Sequence, residues 1–431
     1  MTNSEKLNPE QTRILNDIIN FPTKNFFITG PAGVGKSFLL KKLVNELTKK
    51  HKPDEIGVAA MTGLAATSIN GSTLHSWTGL GLHGTKKPSS FVKNRWKKCK
   101  TLIVDEISMC SRSYFEQIFP YLSKVRVIFF GDFFQLPPVN GEMIFESDKW
   151  NEMLFNIYEM KTVVRQNDLE FINCLHEIRK GKLSQTTIDY LQRFCITNKK
   201  DETEDELEFT KLYCVNRSVD RENMKKLKLI KVTQIDLVAT DNVKIDPKCK
   251  ENKKENQKTI EILSSRMEKS VNQCIKLKPG AKVMLTRNQL EGKFVNGSIG
   301  TVLFKDNTEN QVFVKFDGCE TPEQIEQVDY IEKFNGVTVT RRQFPLKLAW
   351  SLTIHKAQGL TIHKSLFLDI SSNFEYGQCY TGISRIVNPD NLIIDNVNDL
   401  IKNNKVNPKV IEFYENIKPV VQASPFTKSK V

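Results

Sequence analysis

The stretch Asn25-Phe26-Phe27-Ile28-Thr29, followed by Gly30-Pro31-Ala32-Gly33-Val34-Gly35-Lys36-Ser37, decides the fold. Its first five residues are a short apolar run that reads as a buried strand. A glycine-rich turn follows, and a helical pattern runs from about Lys36 to Lys50. The turn satisfies G-x-x-x-x-G-K-[ST] and sits where that motif requires, after a strand and opening a helix. Its glycines let backbone N–H groups wrap phosphates, and the helix N-terminus adds partial positive charge. In that frame Lys36 pairs with the β- and γ-phosphates of a nucleoside triphosphate such as ATP, and Ser37 ligates Mg²⁺.

Working outward, IGVAAM (Ile56–Met61), TLIV (Thr101–Val104) and VRVIFF (Val125–Phe130) are further short apolar runs between helical patterns. Strands alternating with helices indicate a parallel α/β sheet. The second of these runs leads into Asp105-Glu106. Beside a phosphate loop, Asp105 would hold the Mg²⁺ shell and Glu106 would polarise the attacking water as general base. An acidic pair capping the next helix is the plainer alternative. The third run leads into Gly131-Asp132-Phe133-Phe134-Gln135-Leu136-Pro137-Pro138. The Gln135 amide both donates and accepts, which suits contact with the γ-phosphate and the water; a solvated glutamine is the bland reading.

Farther along, Lys199–Glu208 is a charged break, and the polar run Asp246–Lys258 reads as a second exposed loop. From about Ile275 to Val339 the texture becomes β: VMLTR, GTVLF, QVFVKF and VTVTR are separated by the turn signals Pro279-Gly280, Asn296-Gly297 and Asp317-Gly318. This predicts a small β-barrel inserted into a second α/β region, whose pattern resumes near Gln343. Lys276, Lys278, Lys282 and Arg287 would line a strand channel or simply solvate a barrel face.

Lys plus Arg is 63 against 50 for Asp plus Glu, a net charge of +13 that favours a polyanionic partner. No apolar stretch approaches the roughly 18 residues of a membrane span, and the first residues lack the apolar core of a secretory signal. The nine cysteines are scattered and never form C-x-x-C, which fits reduced thiols in an intracellular, soluble protein rather than a zinc site or disulfide framework.

The ordered blocks resemble the Pif-one (PIF-type) DNA helicases of superfamily 1B, with RecD-like and Dda-like helicases more distant. Leu7-Asn8-Pro9-Glu10-Gln11 looks like the Q motif and GPAGVGKS like motif I. Ala59–Ala66 resembles motif Ia, and Thr73-Leu74-His75-Ser76-Trp77 with Gly79-Leu80-Gly81-Leu82 resembles Ib. VDEISM (Val104–Met109) matches motif II and GDFFQLPPV (Gly131–Val139) motif III. Val164-Arg165-Gln166 resembles motif IV, and Phe171…Leu175…Ile178-Arg179-x-Gly181 the family's signature segment. Gln343–Trp350 with Thr353-Ile354-His355-Lys356-Ala357-Gln358-Gly359 looks like motif V, and Gln378–Arg385 like motif VI. The blocks run from about residue 5 to 415. The segment from Gly84 to Thr101 is short for the wedge-bearing insertion of larger members.

The resemblance implies two RecA-like P-loop motor domains with small inserted domains, including an SH3-like β-barrel in the second. It places the first motor domain at 1–160 with a wedge near 78–100, the second at 161–235 and 341–418, the β-rich insertion at 236–340 and a tail at 419–431. It implies a motor that translocates 5′→3′ on single-stranded DNA and unwinds duplex or forked DNA with ATP and Mg²⁺; a monomer is the expected state, which the resemblance does not fix. Gln11 would read the adenine edge, and Gly359 would join the nucleotide site. Arg165 and Arg385 would reach the γ-phosphate as arginine fingers; surface salt bridges are the plainer reading of either alone. Thr62, Gly63, Thr73, His75, Thr353, His355 and Lys356 would grip strand phosphates, with buried structural histidines the plainer reading of His75 and His355; Trp77 and Phe133 would stack on bases or else belong to the core, and Pro137 would offer a separating edge. The alternatives are a superfamily 1 RNA helicase and a nucleotide-gated single-strand-binding scaffold; the retained Glu106 disfavours the latter.

Overall fold

The computed structural model describes residues 6–80, 89–195, 210–247, 253–290, 293–294, 296–306 and 311–417. The charged break at Lys199–Glu208, Gly81-Leu82, the middle of the expected wedge and the expected tail lie outside them. The chain folds as two compact units, residues up to Asn216 with those from Leu352 onward, and Arg217–Ser351.

Helix α1 (Pro9–Asn20) opens on a capping box in which Asn8 and Gln11 satisfy each other's backbone N–H groups. Strand β1 (Phe26–Thr29), the glycine loop and α2 (Lys36–Thr48) follow. Next come β2 (Ile56–Ala60), α3 (Gly63–Ser68), β3 (Ser72–Thr73), α4 (Leu74–Thr78) and α5 (Ser90–Lys98). Then β4 (Thr101–Asp105), α6 (Arg112–Leu122), β5 (Arg126–Phe130), α7 (Asp148–Glu152) and β6 (Asn156–Glu159) complete a sheet ordered β3-β2-β4-β5-β1-β6. Every neighbouring pair in it is parallel. Strands β1 and β4 are buried along their whole length, as continuous apolar runs covered on both faces must be. The glycine loop, Asp105-Glu106 and Gly131–Pro138 therefore leave the same sheet edge, at the carboxyl ends of β1, β4 and β5, where ligands bind in open α/β sheets.

Helices α8 (Leu169–Lys180) and α9 (Gln185–Gln192) lead to β7 (Thr210–Tyr213). Helix α10 (Asn216–Leu229) then opens the other unit, with β8 (Ile235–Val238), β9 (Thr240–Ile245), α11 (Lys253–Ser270), β10 (Cys274–Leu277), β11 (Lys282–Leu285), β12 (Ile299–Asp306) and β13 (Gln311–Phe316). It ends with β14 (Glu323–Ile325), β15 (Val328–Phe334), β16 (Val337–Gln343) and β17 (Leu346–Leu348). The expected barrel is an antiparallel sheet ordered β14-β13-β12-β11-β17, and no pairing among the described residues closes it. VTVTR belongs instead to a separate antiparallel sheet, β15-β16-β9. One face of that sheet is covered by α11, through Leu263, Met267 and Val271 against Tyr330, Val337 and Val339. Part of the polar run expected as a loop is thus helix from Lys253 onward, because its later turns carry the apolar residues that cover this face.

Strand β18 (Ser351–Thr353) returns the chain to the first unit. There α12 (Ile354–Ala357), β19 (Leu366–Asp369), α13 (Gln378–Ile383), β20 (Leu392–Ile394), α14 (Val397–Asn403) and α15 (Pro408–Asn416) complete a second sheet, ordered β18-β7-β19-β20. The pairs β7–β19 and β19–β20 are parallel.

Candidate functional site

The glycine loop reverses direction through left-handed backbone at Gly33 and Gly35, with φ of 86° and 81°. At Gly35 a Cβ would lie 2.5 Å from Gln11 Nε2, so the loop packs directly on α1. Gln11 Nε2 donates to Val34 O at 3.1 Å and its Oε1 accepts from Asn8. The side chain expected to read adenine therefore braces the loop and keeps one amide hydrogen for a ligand. Lys36 Nζ donates to Gly30 O at 2.7 Å and Pro31 O at 3.0 Å, so the ammonium lies across the loop. Burial lowers its pKa, opposed by the carboxylates of Asp132, Glu106 and Asp105. The backbone N–H of Ala32 donates to Tyr380 Oη at 2.6 Å, which ties the loop to α13.

Ser37 Oγ donates to Asp105 Oδ2 at 2.8 Å. Burial, with Glu106 adjacent, pushes Asp105 up to about 6. A hydroxyl and a carboxylate in contact at the foot of a phosphate loop are the paired hard oxygens that suit Mg²⁺, which completes its shell with substrate phosphates and water. Glu106 stands in left-handed backbone at φ 53°, a conformation that costs a non-glycine residue roughly 1–3 kcal/mol and clusters at functional sites. Its Oε2 accepts from Gln358 Nε2 at 3.0 Å. Gln358 closes α12, in the second half of the unit, and sequence reading assigned it no role.

Arg385 also arrives from that half. Its Nη2 donates to Gln135 Oε1 at 3.3 Å and to Ser384 Oγ at 2.9 Å, and its Nε donates to Thr381 O at 2.9 Å. Arg165 Nη1 donates to Ser384 O at 2.9 Å. Burial and the neighbouring Arg385 push Arg165 down to about 10, and burial lowers Arg385 as well. Neither is a surface salt bridge: a half-buried and a buried guanidinium side by side call for an anion. Gly377 allows this approach, since a Cβ there would meet Phe134 O at 2.4 Å. Gly359, at φ 86°, faces Ala65 of α3.

A second buried group escaped sequence reading. Arg179 of α8 donates to both carboxylate oxygens of Asp132, at 3.1 and 2.9 Å. Its guanidinium lies 4.2 Å from the centre of the Phe134 ring. Burial pulls Arg179 down, but Asp132, with Tyr380 and Tyr414, holds its pKa above the ordinary value. Tyr414 of α15 accepts from the Phe133 N–H at 3.2 Å and shares a hydrogen bond with Thr29. The signal was present as Asp132 and Arg179 within two recognised blocks, but nothing local pairs them.

The strand-gripping candidates divide. Thr62, Thr73 and Thr353 each cap a short helix at the end of β2, β3 and β18, accepting from the N–H of Ala65, Ser76 and Lys356. Each hydroxyl hydrogen is left to donate. Gly63 opens α3, half-buried, and Lys356 is exposed. His75 packs against Tyr114 with ring centres 4.2 Å apart, and His355 stacks on Phe374 at 5.9 Å. Burial lowers the pKa of both, so at neutral pH they are hydrogen-bonding groups rather than cations. The stacking assignments are corrected. Phe133 is 2% exposed, enclosed by Phe27, Phe145, Trp150 and Phe413. Trp77 is 7% exposed, edge-on to Trp96 and over Gly57. Neither has a face for a base. Pro137 is buried too, beside Met143, Tyr376 and Val410, and offers no separating edge.

A family model for PIF1-like helicases matches residues 6–189. The ATP-dependent DNA helicase PIF1 of Emericella nidulans is 32% identical over 94% of this chain and 62% of its own length. The ATP-dependent DNA helicase Pif1 of Bdellovibrio bacteriovorus is 30% identical over 95% of this chain and 92% of its own. The crystal structure of Bacteroides Pif1 bound to single-stranded DNA superposes with a TM-score of 0.75 at 27% identity, covering 96% of this chain and 97% of that one. The chain spans 62–64% of the length of the first curated relatives it matches. The α/β class and the pair of RecA-like sheets agree with these neighbours. Among the described residues no helix is long and apolar enough to cross a membrane.

Proposed function

The chain belongs to the PIF1-like helicase family, and on that premise we propose that it is an ATP-dependent motor. It moves 5′→3′ along single-stranded DNA and unwinds duplex or forked DNA, acting inside the cell as a monomer. Residues 1–160 form one RecA-like motor domain, with the wedge at 78–100, and residues 161–216 with 352–418 the other; the insertion expected at 236–340 widens to Arg217–Ser351, since Leu227, Leu346 and Leu348 pack in its core. The observation that carries this reading is the meeting of Gln358 and Arg385 with Glu106 and Gln135, at 3.0 and 3.3 Å. Side chains from the second sheet's half end on the side chains that would handle the water and γ-phosphate in the first.

In this mechanism the glycine loop (Gly30, Pro31, Ala32, Gly33, Val34, Gly35) cradles the phosphates, and Lys36 leaves its two carbonyl partners to meet the β- and γ-oxygens. Ser37 and Asp105 would hold Mg²⁺, which draws charge off the phosphates. Glu106, steadied by Gln358, accepts a proton from the attacking water, and Gln135 orients that water. Arg165 and Arg385 neutralise the charge that grows on the γ-phosphate. Because those arginines lie in the second half, the bound triphosphate favours closure and its hydrolysis favours opening. Thr62, Gly63, Thr73 and His75 would hold the strand from one half, and Thr353, His355 and Lys356 from the other. Their hydroxyl, imidazole and backbone donors, with the Lys356 ammonium, suit phosphates without reading sequence.

Strand separation on two partial duplexes tests the reading, one with a 5′ and one with a 3′ single-stranded tail, with ATP and Mg²⁺ present. Unwinding from the 5′ tail alone, abolished in Lys36→Ala, is the expected result. Unwinding from the 3′ tail alone would overturn the polarity, and an RNA duplex unwound in preference to DNA would overturn the substrate.

A further inference from the structure

The antiparallel sheet of the Arg217–Ser351 unit carries an aromatic pair that its core does not use. Along β12, regular alternation would send Gly300, Val302 and Phe304 to one side. Gly300 and Val302 do face the core, opposite Phe316 and Val314. Between Val302 and Phe304 the register shifts, so that Leu303 is an extra residue and Phe304 pairs with Phe313. A bulge of this kind re-aims the side chain that follows it. Phe304 is thereby turned out of the core and is 49% exposed. Its ring stacks on Phe313 with centroids 4.6 Å apart and planes 22° from parallel.

The surroundings on that face are basic. The adjacent row across the sheet is Lys282, Thr301 and Lys315. Phe313 and Lys315 are two residues apart on one strand, roughly 7 Å, about the span of one nucleotide. Neither Lys282 nor Lys315 has an ion-pair partner among the described residues. The row of the phenylalanines continues into Gln324, and the row beyond holds Asp306 and Gln311. An exposed π-face with cations one nucleotide away matches the way β-sheet surfaces take unpaired bases, by stacking the base and neutralising its phosphate. An apolar protein partner would not need the lysines, and duplex DNA presents no free base face.

We propose that Phe304 and Phe313 form a stacking platform for an unpaired nucleobase of single-stranded DNA, with Lys282 and Lys315 taking the neighbouring phosphates. The site rests on the single-strand reading above and adds to it a contact outside the motor sheets. The bulge at Leu303 is the feature that creates it.

The test uses the full chain with Phe304→Trp, titrated with fluorescein-labelled oligothymidylate for anisotropy and with unlabelled oligothymidylate for tryptophan emission, against the parent protein. Stacking predicts a quench of the added emission that saturates with the anisotropy. It also predicts that Phe304→Leu, which keeps apolar bulk but no π-face, binds about fivefold or more weakly, while Phe304→Tyr binds as the parent does. Saturated anisotropy with unchanged added emission would overturn the platform and leave the motor reading standing. Absence of any oligothymidylate binding by the parent protein would overturn both.

Discussion

Gln358 Nε2 donates to Glu106 Oε2 across 3.0 Å, from a residue 252 positions further along the chain. Glu106 is already held in left-handed backbone, so its carboxylate has two restraints, one from its own strand end and one from the second sheet's half. Both amino acids are buried. Gln358→Leu removes the second restraint while keeping size. General-base catalysis contributes about 10²–10⁴-fold, and losing part of its alignment is expected to lower kcat for ATP hydrolysis by about tenfold with KM little changed. Steady-state hydrolysis with and without single-stranded DNA checks this; an unchanged kcat contradicts it.

Arg179 and Asp132 form a two-pronged ion pair whose side chains are 4% and 0% exposed. Removing one partner strands a buried charge, which costs about 3–5 kcal/mol. Arg179→Met is expected to lower the urea midpoint accordingly, and adding Asp132→Leu should restore more than half of the loss. A single variant as stable as the parent would show that the pair contributes no such restraint.

Phe133 belongs to the core. Phe133→Ala should lose about 3–5 kcal/mol of stability, while its folded fraction binds single-stranded DNA with the parent's affinity. Denaturant titration and anisotropy separate the two quantities. A stable variant with weakened binding would return Phe133 to the strand path.

His75 and His355 give stability a pH dependence of defined sign. Burial places both below their ordinary value of 6.5. Between the folded-state pKa and about 6.5 the unfolded chain binds protons that the folded chain does not, so stability is present above that window and lost as pH falls through it. Urea midpoints should decline on going from about pH 7.5 to about pH 5.5, and less steeply in His75→Phe with His355→Phe. His176, also lowered by burial, leaves a residual slope of the same sign, and Asp105, raised to about 6, one of the opposite sign, so the difference between parent and double variant isolates the two histidines. A pH profile as steep in the double variant as in the parent would remove these two residues as the cause.

The parts legible in the sequence were those whose chemistry lies in consecutive residues. The glycine loop, Asp105-Glu106 and the apolar runs of the first sheet are local, and the strands begin and end within a residue or so of their runs. The parts that were not legible depend on partners far along the chain. Phe133 sits in a motif, but its burial is decided by Phe413 and Trp150. VTVTR alternates like any barrel strand, yet pairs with Thr240–Ile245 and Val328–Phe334. The slip at Leu303 leaves no trace in hydrophobic pattern, since GTVLF reads as a regular strand.

The hydrogen bond between Thr29 and Tyr414 joins residues 385 positions apart, and Phe413 beside it fills the ring cluster around Phe27. Ribosomal synthesis delivers the amino-terminal sheet first, at about 5–20 residues per second. For the many seconds before α15 emerges, that sheet is a nascent layer with an open aromatic socket. A chain interrupted before Phe413 leaves the rings of Phe27, Phe133 and Trp150 without the one that covers them.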